Sequence, residues 1–342
     1  MRILIVTDAW LPQVNGVVRT LSQLDRELAG LGHRVVLVAP DRFATLPCPT
    51  YPEIRLALRP RAGVARAFAA FDPEAVHIAT EGPLGWAARR HCLDNRLPFT
   101  TAFHTRFPDY LHARFGVPRA WSFALLRRFH GAGAGVMAAT ASLARELAGR
   151  GFGNVRPWTR GVDTALFRPL ADDEVPPLAL PRPVFLFVGR LAVEKNLEAF
   201  LGADLPGTKL VVGDGPQRAA LAARFPEAVF AGAQHGEALA RHYRMADVFV
   251  FPSRTDTFGL VMLEALASGV PVAAYPVPGP LDVIGDSGAG ALGDDLAAAA
   301  MAALSIPRAA CRAHAARFNW RACARLFVAN LAPFGGTSAR AA

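Results

Sequence analysis

The 342-residue sequence predicts an α/β protein built as two doubly wound domains. Three observations carry that expectation. Short, continuously apolar runs of strand length alternate with stretches whose apolar residues fall at helical spacing. The alternation comes as two series. A proline-rich segment, RPLADDEVPPLALPRP (168–183), separates them. Strands that are apolar throughout belong to parallel sheets covered on both faces, and helical crossovers between them give the doubly wound arrangement.

In order, the first series predicts strands at RILIVT (2–7), RVVLVA (34–39), AVHIA (75–79), PFTTAF (98–103) and GVMAAT (135–140). Leu21, Leu24, Leu28 and Leu31 mark the apolar side of the first intervening helix. The second series predicts VFLFVG (184–189), KLVVG (209–213), AVFA (228–231), DVFVF (247–251) and PVAAY (271–275). A last helical pattern around 313–333, with Phe318, Trp320 and Leu326, follows the second sheet. The expected division is 1–168 for a first domain and 169–312 for a second. A C-terminal helix at 313–335 is expected to pack back toward the first.

Hydrophobic residues make up 52% and charged residues 19%, a globular rather than a disordered balance. Cys48, Cys92, Cys311 and Cys323 show no CxxC or zinc spacing and read as reduced, mostly buried thiols, with no metal site expected. The opening MRILIVTDAW is too short an apolar run for a signal peptide, and no apolar stretch approaches the roughly 20 residues of a membrane span. A cytoplasmic location is the expectation. The net charge of +9 is uneven: residues 1–170 hold 22 Arg, no Lys and 12 acidic residues, for +10, and the remainder carries −1. An anionic partner for the first half is one reading, and arginine enrichment from a GC-rich genome is the other. Nucleic acid is not expected, because no recognised binding motif accompanies the charge.

Ligands of doubly wound sheets bind beyond the carboxyl ends of strands, at helix N-termini, and two such domains would face each other across a cleft. The loops after strands are therefore the candidates. In TDAWLPQVNGVVRTL (7–21), Asn15-Gly16 opens the first helix, either as an anion-facing end or as a tight turn. No GxGxxG follows this strand, so a nicotinamide oxidoreductase fits badly. In VGRLAVEKNL (188–197), Arg190 and Lys195 supply a forked donor and a point charge of the kind a pyrophosphate requires, or else simply exposed loop charges. Gly213 and Gly215, after the next strand, permit close backbone approach to a ligand or form an ordinary turn. In PSRTDTFGLVMLEALASG (252–269), Gly259 starts a helix whose leading amides, from Thr257 to Leu260, could cradle phosphate. Asp256 lies just ahead of it. Glu264 sits two turns in, on an apolar face, satisfied by a ligand diol or by an internal partner such as Arg254. TTAFHTRFPDYLHARFG (100–116) places His104, Arg106 and Asp109 after the fourth strand, with His104 either structural or facing the reaction.

The ordered set NGVVRTL (15–21), ATEGPLGWAARR (79–90), TAFHTRFPDYLHARFG (101–116), TRGVDTALFRP (159–169), VGRLAVEKNL (188–197), VGDGP (212–216) and FPSRTDTFGLVMLEALASGVPV (251–272) resembles retaining glycosyltransferases of family four, with the GT-B fold of two Rossmann-like domains. The resemblance is to the membrane-lipid branch: phosphatidylinositol mannosyltransferases, sulfoquinovosyl-diacylglycerol synthases and bacterial diacylglycerol glycosyltransferases. It implies a hexose donor such as GDP-mannose, UDP-glucose or UDP-glucuronate, no cofactor and no metal, in keeping with the lack of a DxD motif. It further implies that Arg190 and Lys195 bind the diphosphate, that Phe258, Gly259 and Leu260 lend it backbone amides, and that Glu264 holds the ribose. Asp256 would face the transferred sugar, Gly16 would approach the donor from the first domain, and His104 would lie near the reacting face. One departure stands out: the family commonly has glutamate at both ends of this eight-residue step, and here the first is Asp256. Front-face transfer with retention, under domain closure that excludes water, is the mechanism the resemblance implies.

The first domain of this architecture usually holds the acceptor. Two of its stretches, RLALRPRAGVARAFAAF (55–71) and YLHARFGVPRAWSFALLRRF (110–129), mix arginine with apolar residues as a surface lying on an anionic bilayer does, although a solvated amphipathic helix has the same composition. The expectation is a peripheral enzyme on the inner face of the cytoplasmic membrane, glycosylating a lipid. A soluble or polysaccharide acceptor, a nucleotide-sugar epimerase and an inactive nucleotide-sugar binder are the alternatives.

Overall fold

The computed structural model describes residues 1–13, 15–48, 51–171 and 173–335. Val14, in the first expected loop, and Asp172, in the expected linker, lie outside them. So do the side chains of 110 and 113–115 in the second arginine-rich stretch. The chain forms two compact units. One is Met1–Thr159 with the C-terminal segment from Trp320, and the other is Arg160–Asn319.

Unit 1 is built on β1 (Arg2–Val6), β2 (Arg34–Val38), β3 (Thr45–Cys48), β4 (Tyr51–Ala57), β5 (Ala75–Ile78), β6 (Thr100–Phe103), β7 (Gly135–Ala138) and β8 (Val155–Pro157). Six of these pair in parallel in the order β2-β1-β5-β6-β7-β8. Ile3–Val6 and Ala75–Ile78 are fully enclosed, as strands covered on both faces must be. Between β2 and β5 the chain makes an antiparallel hairpin, β3 with β4, followed by the helix Arg61–Phe71. In chain order this hairpin takes the place that the strand Val229–Gly232 has in the second unit, but it forms a separate two-stranded sheet. The helix Trp320–Asn330 lies beside the helix Gly16–Gly30. Its Phe327 ring packs on Trp158 and His77, and Asn330 Nδ2 donates to the Pro157 carbonyl at 2.6 Å.

Unit 2 is built on β9 (Val184–Val188), β10 (Thr208–Val212), β11 (Val229–Gly232), β12 (Val248–Phe251), β13 (Val272–Ala274) and β14 (Gly290–Leu292). All pair in parallel, in the order β11-β10-β9-β12-β13-β14. This is the strand order of dinucleotide-binding sheets, whose ligands sit where the winding reverses, here between β9 and β12. In unit 1 the reversal falls between β1 and β5.

The ten expected strands are present, each within a few residues of its reading. Among the described residues four further strands escaped it, β3, β4, β8 and β14. Of these, β8 carries Arg156 and Pro157 on a sheet edge, a place where proline is tolerated and a long apolar run is not needed. The proline-rich segment 168–183 is strapped to the rest of unit 2. Arg244, almost wholly buried, is bound by Glu237 and Glu174 and donates to the Leu166 carbonyl. Arg168 pairs with Glu174 at 2.6 Å, Arg241 donates to the Val175 carbonyl, and Arg182 pairs with Asp247. The expected boundary at 168 therefore falls inside unit 2, which begins at Arg160.

Candidate active site

In unit 2 the expected residues collect at the carboxyl ends of β9 and β12. Beyond β9 the chain passes through Gly189 and Arg190, makes a single turn at Val193–Lys195, and enters the helix Leu197–Leu201. Asn196 joins the two with φ of 55°, a left-handed conformation that asparagine accepts more readily than most residues. The Gly189–Leu191 backbone runs tightly against the loop after β10. Leu191 N donates to the Asp214 carbonyl at 2.9 Å, and Gln217 N to the Leu191 carbonyl at 3.0 Å. A Cβ on Gly213 would lie 1.8 Å from the Gly189 carbonyl oxygen, and one on Gly215 would lie 2.4 Å from that of Leu191. The close approach that these glycines permit is to the chain's own loop.

Three contacts tie the loop after β9 to the loop after β12. Asn196 Nδ2 donates to the Pro252 carbonyl at 3.1 Å, and Ser253 Oγ donates to the Glu194 carbonyl at 3.3 Å. Lys195 Nζ donates to both oxygens of Asp256, at 2.6 and 2.8 Å. The ion pair spans the point where the sheet reverses its winding, and both side chains remain about one-fifth exposed.

Gly259, with φ of 86°, opens the helix Leu260–Ala267 and, as a glycine, offers its leading amides no side-chain cap. Those amides carry the positive end of the helix dipole and lie just after Phe258, whose buried ring is edge-on to Phe318. Glu264 is 6% exposed and accepts from the Tyr243 hydroxyl at 2.9 Å, while Ser268 Oγ donates to its main-chain carbonyl. Arg254, weighed above as the internal partner of Glu264, instead stacks on the Tyr275 ring at 3.5 Å. Tyr243 was not legible as a partner, because a separation of 21 residues from Glu264 gives no local pattern.

In unit 1, Asn15 caps the helix Gly16–Gly30 by accepting from Val17 N and Val18 N, both at 3.0 Å, which leaves Gly16 exposed at the helix end. His104 follows β6 with its ring edge-on to Trp158. Arg106 and Asp109 belong to an internal network: Arg106 binds Asp109 and Glu146, and Arg119 binds Asp109. Burial raises the Asp109 carboxyl, but these two arginines outweigh it and hold the group below its ordinary range.

A further acid was missed by sequence reasoning. Asp8, just past β1 and almost wholly buried, accepts from Leu84 N at 2.8 Å, Gly85 N at 3.2 Å and Thr80 Oγ1 at 2.9 Å. It fills the N-terminus of the helix Pro83–Asp94, and a Cβ on Gly82 would lie 2.4 Å from its Cγ. Burial pushes its carboxyl above the ordinary value, against the pull of the three hydrogen bonds. Its position directly after a strand was the available signal.

Among the described residues no cluster of three or more His, Cys, Asp or Glu is placed to hold a metal ion. Arg190 and Lys195 lie on the loop after β9, and the helix that begins at Leu260 follows the loop after β12 that carries Asp256, the partner of Lys195.

Residues 14–166 match the family model described as Glycosyltransferase Family 4, and residues 182–306 match that described as Glycosyl transferases group 1. A GDP-mannose-dependent alpha-mannosyltransferase of Mycolicibacterium smegmatis is 35% identical over 86% of this chain and 84% of its own. An alpha-monoglucosyldiacylglycerol synthase of Streptococcus pneumoniae is 29% identical over 89% of this chain and 78% of its own. The solved structure of a sucrose-phosphate synthase from Thermosynechococcus elongatus superposes with a TM-score of 0.77, at 21% identity, over 96% of this chain and 97% of that one. The chain therefore belongs to glycosyltransferase family 4, with the GT-B fold, and is a retaining hexosyltransferase that draws on a nucleotide sugar.

Proposed function

We propose that the enzyme transfers mannose from GDP-mannose to a lipid hydroxyl at an anionic membrane surface. The observation that supports the donor half is that Lys195, reaching Asp256 just ahead of the helix Leu260–Ala267, bridges the two loops where the second sheet reverses its winding, with Arg190 on the same loop as Lys195. Negative charge builds on the departing diphosphate during transfer. Two cations and a helix N-terminus fixed in place stabilise that charge without reorganising. Phe258, Gly259 and Leu260 contribute amides, Glu264 the ribose contact, and Asp256 lies nearest the sugar end. Gly213 shapes the loop on which Arg190 rests. Gly16→Val and His104→Ala are expected to lower kcat while leaving nucleotide affinity unchanged. The mannosyltransferase relative favours GDP-mannose over UDP-glucose and UDP-glucuronate.

The acceptor half rests on the helix Arg119–His130. Ser122, Phe123, Leu126, Phe129 and His130 form its buried face. Trp121 and Leu125, one turn apart, are 72% and 54% exposed, and Phe107 and Leu111 of the preceding helix are exposed as well. Arg119, Arg127 and Arg128 stand among them in solvent. Exposed indole and leucine flanked by arginine is the composition of an interfacial helix. No helix among the described residues is long and apolar enough to cross a membrane, so attachment would be peripheral. The diacylglycerol named in the Streptococcus relative supports a lipid acceptor.

The test is a metal-free incubation with GDP-mannose, UDP-glucose and UDP-glucuronate, with and without anionic liposomes containing diacylglycerol and phosphatidylinositol. Labelled lipid from GDP-mannose is the expected result. Released nucleotide without labelled lipid would replace the lipid with a soluble acceptor. For the membrane, Trp121→Ala with Leu125→Ala should abolish co-sedimentation with anionic liposomes while stability changes by no more than about 0.5 kcal/mol. Unchanged co-sedimentation would remove this face from the interface.

A further inference from the structure

We infer that Asp256 acts as an internal counter-anion of Lys195, competing with the leaving diphosphate and hastening release of the nucleotide product. The inference rests on the reading that Lys195 binds the donor's diphosphate. The geometry supporting it is direct: Lys195 Nζ is held by both oxygens of one carboxylate, at 2.6 and 2.8 Å. An ammonium has three N–H donors, and two acceptor oxygens at these distances take up most of its donating capacity. A diphosphate arriving at Lys195 must either share that ammonium with Asp256 or displace it. In either case its charge comes close to a carboxylate of like sign.

The surroundings make this competition a property of the site. Asn196 Nδ2 on the Pro252 carbonyl and Ser253 Oγ on the Glu194 carbonyl hold the two loops in register on either side of the pair. Lys195 and Asp256 are therefore presented to each other by the fold, while about one-fifth of each side chain stays accessible to a ligand. A donor gains binding from its sugar as well as its phosphates and opens the pair. Once the sugar has left, the nucleoside diphosphate holds Lys195 by charge alone, against a carboxylate already tethered within reach. Asp256 is a positioning residue in this role, since it acts through Lys195.

The discriminating measurement is the affinity for a nucleoside diphosphate that carries no sugar. Titration calorimetry with GDP and with UDP would be run on the whole protein, its Asp256→Asn, Lys195→Gln and Arg190→Ala variants, and the Asp256→Asn/Lys195→Gln double variant. Asp256→Asn should tighten binding by about tenfold, a coupling of ordinary size for two groups in one ion pair. Most of that gain should vanish in the Lys195→Gln background. A role limited to holding the sugar predicts unchanged affinity, and a purely structural role predicts weaker binding; either result, with the thermal transition intact, overturns the inference. If neither nucleotide binds the unmodified protein, or if Arg190→Ala leaves binding unchanged, the donor-site reading falls and the competition falls with it.

Discussion

Where the first sheet reverses its winding, between β1 and β5, a carboxylate is buried among backbone amides; where the second reverses, between β9 and β12, an ion pair stands partly open to solvent. The topology at the two places is alike, and each sets a helix N-terminus beside the crevice. At the first, Asp8 accepts from Leu84 N and Gly85 N and occupies the helix end that an anionic ligand would otherwise take. Gly82 is a glycine there because any Cβ would collide with that carboxylate. At the second, Gly259 brings no side chain to cap the helix Leu260–Ala267, and the charges beside it form the Lys195–Asp256 ion pair. A fold of this kind offers an anion site at each reversal, and the side chain next to it decides whether the protein fills the site or leaves it for a ligand.

The sharpest way to break this contrast is to remove the cations of the second site. Arg190→Ala or Lys195→Ala should each lower kcat/KM by about 100- to 1000-fold, the scale of losing a charge-stabilising donor at a reacting group. Steady-state kinetics would show it, and a loss below tenfold would move the diphosphate elsewhere. Asp8→Ala probes the first site. It leaves two enclosed amides unpaired, at about 1–3 kcal/mol each, so denaturant unfolding should report a large loss of stability. GDP affinity of the folded fraction should stay as it was, because Asp8 belongs to the other unit.

A smaller effect comes from Tyr243→Phe, which takes one hydrogen bond from Glu264. About 1 kcal/mol of stability should go, and KM for the donor should rise more than kcat falls, because a carboxylate that holds the ribose loses its orientation. An unchanged KM would reduce Glu264 to an internal partner of the fold.

The smallest effects are slopes with pH, and Asp8 and Glu174 should show opposite signs. The Asp8 carboxyl titrates above 3.8 when folded, so the folded state keeps its proton longer than the unfolded chain. Stability from this group falls as pH rises from 3.8 through the folded value and is flat beyond. Glu174 behaves in the reverse way. Its bond from Arg168, with help from the Ala171 amide, pulls it from 4.5 to about 2. Its stabilising contribution is complete above 4.5 and disappears as pH falls toward about 2. Unfolding curves of Asp8→Asn and Glu174→Gln across the acid range, each subtracted from the unmodified protein, should differ in sign.

Much of the second site was legible in the chain because its signals are local. Gly259 precedes an apolar run with helical spacing, and Arg190 directly follows a strand; both facts lie within ten residues of sequence. The two arginine-rich stretches were legible as composition, but which face of 119–130 was apolar and exposed was not. Trp121 and Phe123 look alike in the sequence, and burial separated them. Asp8 was overlooked because its partners are more than 70 residues away, on a helix whose register over β1 depends on the sheet. The proline-rich segment is tethered by Arg244, Arg168 and Arg182 through charges whose partners no local pattern reveals.

By itself, then, the sequence determined the alternation of buried strands and helices, the existence of two sheets, the helix ends at Asn15 and Gly259, and the residue types an anion site requires. Each of these follows from backbone and hydropathy preferences acting over a few neighbouring residues. Tertiary structure alone decided which charges meet: Lys195 with Asp256 across 61 residues, Glu264 with Tyr243 rather than Arg254, and Asp8 with a helix end it could not have identified. Ion pairs and hydrogen bonds act over a few ångströms, so their partners are fixed only once the sheet order has brought distant loops to the same edge.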